Sequence, residues 1–202
     1  MSMNAPVLIK TKELQHDVFD ILETSLPSHF YYHNKDHTQY VVNAAQQLAT
    51  AEQVSEKDMQ LLTVAALLHD IGFTETVKNH EEKSCETAKR LLPSYGLNAA
   101  EIDAVCELIM VTKLPQQAHT TLAKILCDAD LYYLGTDQFF PFGERLFKEM
   151  SVLHLIGSLD EWNELQVQFL SSHQYFTVTA NRLLYQKKLA NLFTLKARMR
   201  HY

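Results

Sequence analysis

One stretch constrains this chain more than any other: Leu61-Leu62-Thr63-Val64-Ala65-Ala66-Leu67-Leu68-His69-Asp70-Ile71-Gly72. Eight apolar or small residues in a row predict a helix buried on every side. That helix then ends in two side chains that bind protons and metals. A buried carboxylate is costly unless it is paired or coordinates an ion. The rest of the chain must therefore supply partners for His69 and Asp70.

The surrounding sequence is helical in period. Leu14, Val18, Ile21, Leu22 and Leu26 form a stripe that Pro27 ends, within a helix predicted over residues 7–26. Asn34 is placed to cap the next helix with His37 at its third position, and that helix runs to about Glu52. Ser55 and Asp58 open the Leu61–Leu68 helix, which Gly72 is expected to stop. After a loop over 74–79, Asn79 or His80 opens a helix that closes near Pro93 and Gly96. Asn98 caps another helix, bounded by Pro115, and Thr120 or Thr121 opens the one carrying Asp130, followed by Gly135. Phe139, Phe140 and Phe142 are expected to precede a helix through Leu146, Phe147, Met150, Leu153 and Leu155. Ser158 with Glu161 starts another, and the last runs from about Phe176 to the end. Five glycines and five prolines in 202 residues are few for an all-β protein with many tight turns. The chain is therefore expected to be all-α. It is read as one domain over 1–202, with a core at about 20–150 and a C-terminal helical extension at about 151–202.

Charge and cysteines narrow the partners. A net charge of −6 repels a nucleic-acid backbone, so a polymeric nucleic acid is disfavoured, whereas a small phosphate ester or nucleotide held by a metal is compatible. Cys85, Cys106 and Cys127 are odd in number and lack CxxC spacing, which fits reduced, buried thiols and a cytoplasmic location. No signal peptide is expected from Met1–Pro6, and no apolar run reaches the length of a membrane span. Assembly into a homo-oligomer is left open.

Four residues answer the demand of the buried helix. His37, His69, Asp70 and Asp130 each stand on a predicted helix or helix end, among apolar neighbours that face the core. Two imidazoles and two carboxylates suit one divalent ion of the Mn, Fe, Co, Ni, Zn or Mg group. Facing helices are an established way to gather such a set. On an octahedral ion, four protein donors leave positions open for water or substrate.

Tyr32-His33-Asn34-Lys35-Asp36-His37-Thr38, then His69-Asp70-Ile71-Gly72, then Asp128-Ala129-Asp130-Leu131 together resemble the HD-domain metal-dependent phosphohydrolase superfamily. The resemblance covers roughly residues 20–150. It implies an all-α HD-type core with additional C-terminal helices, and His37, His69, Asp70 and Asp130 as metal ligands. It further implies hydrolysis of a small phosphate ester or nucleotide by a metal-activated water. Some relatives carry further histidines between the HD pair and the last Asp, and hold two metals. Here that interval holds only His80 and His119, neither placed as a ligand, so one ion is expected.

The remaining assignments surround that centre. Asp70 is the ligand placed to meet the attacking water. Glu81 is a candidate to orient or deprotonate that water, and His80 a candidate proton donor or phosphate contact. The same acids also suit a helix N-terminus without any further role. His33 and Lys113 are candidate phosphate contacts, with Thr112 beside them, and Asp128 is expected to face elsewhere or to support the site indirectly. Phe139, Phe140 and Phe142 read as core or as the wall of a substrate pocket, and Trp162 with Phe169 as a core stripe. Lys187, Lys188, Lys196, Arg198 and Arg200 read as a solvated helix face. His16, His29, His154, His173 and His201 read as surface or satisfied core residues. Two other functions fit the same core. One is a non-catalytic regulatory module that binds metal or nucleotide, and the other is a di-iron oxygenase, which needs about two more histidines.

Overall fold

The computed structural model describes residues 9–199, so the readings of Met1–Pro6, Arg200 and His201 lie outside the described residues. These residues form nine α-helices and three short 3-10 turns, with no strand among them. The helices are α1 (Thr11–Ser25), α2 (Lys35–Ala51), α3 (Glu56–Leu68), α4 (His80–Leu91), α5 (Ala99–Met110), α6 (Thr121–Asp130), α7 (Phe139–Val152), α8 (Leu159–Ser172) and α9 (Val178–Met199). The 3-10 turns are Ile71–Thr74, Leu92–Tyr95 and Tyr132–Gly135.

Helix starts follow their caps. The Asn34 side chain accepts from the backbone N–H groups of Asp36 and His37, and Ser55 accepts from that of Asp58. Asn98 and Glu101 close a full capping box at the head of α5. Asn79 does something different. It takes a left-handed conformation, with φ of 59°, and reverses the chain into α4 without a side-chain cap.

Every residue of α3 from Leu61 to Leu68 is buried, as the run of apolar side chains demands. Leu62, Leu67 and Leu68 are fully enclosed, each contributing on the order of 2–3 kcal/mol relative to exposure. α3 packs on α2, α5 and α1, and α2 packs also on α6. The ends of α3 and α6 and the head of α2 thereby come together. A second, aromatic-rich cluster of Tyr32, Tyr133, Leu134, Phe139, Phe142, Leu170, Leu192 and Leu195 joins the C-terminal helices to this core.

α9 is tied down at several points. Asp128, fully buried, accepts from the backbone N–H groups of Phe176 (2.7 Å) and Thr177 (2.8 Å) and from the Thr177 hydroxyl (2.7 Å), just ahead of the helix. Asp128 thus faces the C-terminal segment. Asn191 donates to the carbonyls of Leu134 and Thr136, strapping the last 3-10 turn to α9. The basic run is only partly solvated: Lys187 pairs with Asp137, Arg198 lies 3.9 Å over the Phe140 ring, and Lys188 is buried against the His173 carbonyl. Among the other histidines, His173 is not fully satisfied, since its Nε2 has no partner.

Phe139, Phe140 and Phe142 belong to α7 and do not precede it. Pro141 stands at the third position of that helix, where its missing N–H costs no intrahelical bond. α7 ends at Val152, leaving Leu153 and Leu155 outside.

Gly72 lies within the turn after α3, and its role is space. A Cβ there would stand 2.0 Å from the His80 carbonyl oxygen and 2.9 Å from the Ser84 nitrogen. Both are backbone atoms of α4, so α4 packs this close only against a glycine. Gly72→Ala is expected to destabilise the protein by about 1–3 kcal/mol, lowering Tm by roughly 5 °C. An unchanged melting curve would show that α4 shifts aside freely.

Candidate functional site

Three helix ends deliver the four residues of the site. His37 stands in the first turn of α2, held there by the Asn34 cap. His69 is the residue that ends α3, Asp70 follows it, and Asp130 is the last residue of α6. The Nε2 atoms of His37 and His69 are 3.4 Å apart. Asp70 Oδ2 lies 3.3 Å from the first and 3.1 Å from the second. Asp130 Oδ1 lies 3.4 and 3.6 Å from the same two atoms. His37, His69 and Asp70 are buried, and the Asp130 side chain is 17% exposed.

The chemistry of this donor set fits a cation. His69 Nδ1 is 2.9 Å from the Ala66 carbonyl, so that nitrogen carries the proton and donates it. Its Nε2 is then a lone pair aimed at the cluster, the usual preparation of a histidine ligand. His37 has no such fixing partner, because its Nδ1 is buried and unpaired. Its ring is held instead against Tyr32, with centroids 4.5 Å apart. Two nitrogens and two carboxylate oxygens converging in a dry site repel one another unless positive charge stands among them. The ionisation of the group carries the same sign. Burial pushes both imidazoles down, but Asp70 and Asp130 outweigh it and leave them above their usual value. Burial pushes both carboxyls up, yet the two histidines hold Asp70 well below the usual range and Asp130 down to about 2.

The structure brings His80 and Glu81 to this centre. His80 opens α4, and its Nε2 is 3.5 Å from Asp70 Oδ1 and 3.5 Å from Glu81 Oε1. Burial lowers its pKa, but the Asp70 hydrogen bond and the charges of Asp70 and Glu81 raise it above the usual histidine value. Ser84 fixes the connection: its hydroxyl donates to the His69 carbonyl and accepts from the Gly72 N–H. His119 is exposed and lines a separate groove with Gln117 and Thr120.

His33 reaches the rim of the same centre, in a stack of three rings. Its ring lies 4.1 Å from that of Phe73, which in turn lies 3.9 Å from that of His80. The group that holds His33 is Glu149 of α7. Its Oε2 accepts from the backbone N–H groups of Tyr32 (2.8 Å) and His33 (3.0 Å), and its Oε1 pairs with His33 Nδ1. Glu149 is 1% exposed. Sequence reasoning missed it. The available signal was an acid beside Phe147 and Met150 in an apolar stripe, a residue that needs a partner if buried. Lys113 stands at the rim in an ion pair with Glu82 and has no freely available charge. Thr112 is buried, with its hydroxyl donating 2.8 Å to the Ile109 carbonyl.

A cavity of about 520 Å³ opens from this centre. Asp70, Asp130, His33, His80, Glu81 and Lys113 line it at one side. Phe139, Leu146, Trp162, Phe169 and Leu170 line it at the other, so Trp162 and Phe169 face a space as well as the core.

The model of the HD domain matches residues 34–134, which contain all four converging donors. The chain belongs to the HD-domain family. A curated relative, the bifunctional uridylyltransferase/uridylyl-removing enzyme of Nitrobacter winogradskyi, is 25% identical over 131 residues. That match covers 61% of this chain and 13% of that much longer protein. Two solved structures share the fold over almost the whole length. Bacillus subtilis YpgQ in complex with ADP superposes with a TM-score of 0.68 at 16% identity, covering 95% of this chain and 94% of that one. A predicted HD superfamily hydrolase from an uncultured Thermotogales bacterium gives 0.59 at 21% identity, covering 92% and 91%. Among the described residues no helix is long and apolar enough to cross a membrane.

Proposed function

We propose that this HD-domain protein is a metal-dependent phosphohydrolase of a small phosphate ester, with His37, His69, Asp70 and Asp130 holding one divalent ion. The observation that carries the reading is the convergence of two imidazole nitrogens and two carboxylate oxygens, at 3.1–3.6 Å from nitrogen to oxygen, beside an open cavity. A divalent ion there supplies positive charge at the phosphoryl group and brings the pKa of a water toward neutrality.

The protein's own groups do the rest. Asp70 uses one oxygen on the imidazole side and presents the other toward His80. As the P–O ester bond breaks and a water oxygen replaces it, the leaving alcohol takes up a proton. His80 is the donor, because its Nε2 stands on the cavity wall within 3.5 Å of both Asp70 Oδ1 and Glu81 Oε1. Glu81, 3.5 Å away, takes the proton of the attacking water and returns one to His80. His33, oriented by Glu149, contacts a phosphoryl oxygen, while Lys113 stands at the rim with its charge taken up by Glu82.

The test is elemental analysis of the purified chain, followed by chelation and return of Mn, Fe, Co, Ni, Zn or Mg singly. Phosphate release is measured over a panel of monoesters, with ADP and a uridylyl ester included because relatives carry those names. About one ion per chain and turnover that returns with metal are expected. Tight nucleotide binding without turnover of any ester would replace the reading with a regulatory module. Two irons per chain and oxygen consumption would replace it with an oxygenase.

A further inference from the structure

The polar side of the cavity belongs to the centre already described, but the far side does not. It is built by α7 and α8, outside the segment that the HD-domain model matches. Phe139, Leu146, Trp162, Leu165, Phe169 and Leu170 make this wall. The hydrogen-bonding side chains that these two helices bring to it are Gln166 and the indole of Trp162. A nucleobase has several polar edges that go unpaired against such a wall, and a buried unpaired polar group is disfavoured.

The charge of the lining argues the same way. Asp70, Glu81 and Asp130 are acidic, no arginine lines the cavity, and its one lysine, Lys113, is already paired with Glu82. A polyphosphate chain is ordinarily gripped by arginine forks and several cations. A single phosphoryl group needs only the ion and the histidines beside it. The volume of about 520 Å³ is within the range of small-molecule sites and exceeds what a phosphoryl group alone fills.

Resting on the hydrolase reading above, we infer that the substrate is a phosphomonoester with a large apolar group, alkyl or aryl, which lies between α7 and α8 while the phosphoryl group meets the polar side. A nucleoside polyphosphate fits this lining less well, since its base leaves polar edges unpaired on the wall and its phosphate chain meets no arginine.

Two independent measurements on the full chain test this. The first is direct binding. Trp162 is the chain's one tryptophan, it is 6% exposed, and it lines the apolar wall. Its fluorescence therefore reports occupancy by non-hydrolysable alkylphosphonates, with or without metal. Affinity is expected to rise with chain length by about fourfold per buried methylene until the cavity is filled. The second is kcat/KM over methyl, butyl, octyl, phenyl and naphthyl phosphates against AMP and ADP. The long alkyl and aryl esters are expected to exceed both nucleotides by at least about tenfold. Leu165→Gln, at an exposed position that still lines the cavity, is expected to reduce the octyl-to-methyl ratio about tenfold. A length-dependent fluorescence response with no hydrolysis of any ester would leave the apolar site standing and remove the hydrolase reading. Turnover with flat length dependence, or with ADP preferred, would overturn the inference and leave the hydrolase reading intact.

Discussion

Alanine at His69 is expected to give a folded, helical protein that no longer retains a divalent ion. The ring stands at the end of α3, so no helical hydrogen bond depends on it. The contacts that lock the turn after α3 run through backbone atoms, from Ser84 Oγ to the His69 carbonyl and from the Gly72 N–H to Ser84 Oγ, and these survive the substitution. What is lost is the Nδ1 bond to the Ala66 carbonyl and, at the centre, Nε2, which stands within 3.1–3.6 Å of the three other donors. Metal content after dialysis should fall from about one ion per chain to a trace, and phosphoester turnover by roughly 10³-fold or more, as several kcal/mol of lost stabilisation implies. Asp130→Asn separates charge from shape. That carboxyl is held down to about 2 and is ionised throughout the working range, so the amide keeps its volume but removes a negative donor. Metal affinity should drop at least about tenfold with an unchanged circular dichroism spectrum. Full metal content and full activity in His69→Ala would remove the assignment of this centre.

How much of this was legible in the sequence depends on how each residue is held. His37 and His69 could be placed because a cap and an apolar run are local signals: Asn34 sets the register of α2, and Leu61–Leu68 sets the end of α3. Asp130 followed from the same kind of periodicity in α6. His80 lies eleven residues after His69, a spacing that says nothing about distance. It reaches Asp70 because Gly72 lets α4 pack against the turn and Asn79 reverses the chain in a left-handed conformation. The aromatic run 139–142 lies inside α7 and not ahead of it, since a proline in the first turn, here Pro141, disturbs no helical hydrogen bond. Lys188 escapes a sequence reading because helix period places a side chain on a face but cannot say that His173 and Tyr175 cover that face. Glu149 was invisible for a stronger reason. Its partners are 116 and 117 residues away, and no local pattern encodes a pairing at that separation.

Glu149→Ala should be among the most damaging single substitutions outside the metal centre. It would leave the buried Tyr32 N–H, the His33 N–H and the half-buried His33 ring without their acceptor. Removing a buried acceptor that serves three donors costs about 3 kcal/mol, which for a chain of this size lowers Tm by about 10 °C. Because these bonds also hold the Tyr32-His33 corner, His33 would lose its orientation at the rim, and activity should fall in the protein that remains folded. Glu149→Gln gives the test its pH dependence. Burial pushes the Glu149 carboxyl up, but the hydrogen bonds from His33 and from the two backbone N–H groups outweigh it and leave the pKa below the usual value. A carboxyl with a depressed folded pKa stabilises the protein above its unfolded pKa, about 4.3, and loses that contribution as pH falls through the lower folded value. The Tm difference between the native chain and Glu149→Gln should therefore stay constant above about pH 5 and shrink below about pH 4. A difference that widened on acidification would mean that the carboxyl is already protonated in the folded protein. The clamp on His33 would then be made by a neutral carboxyl group.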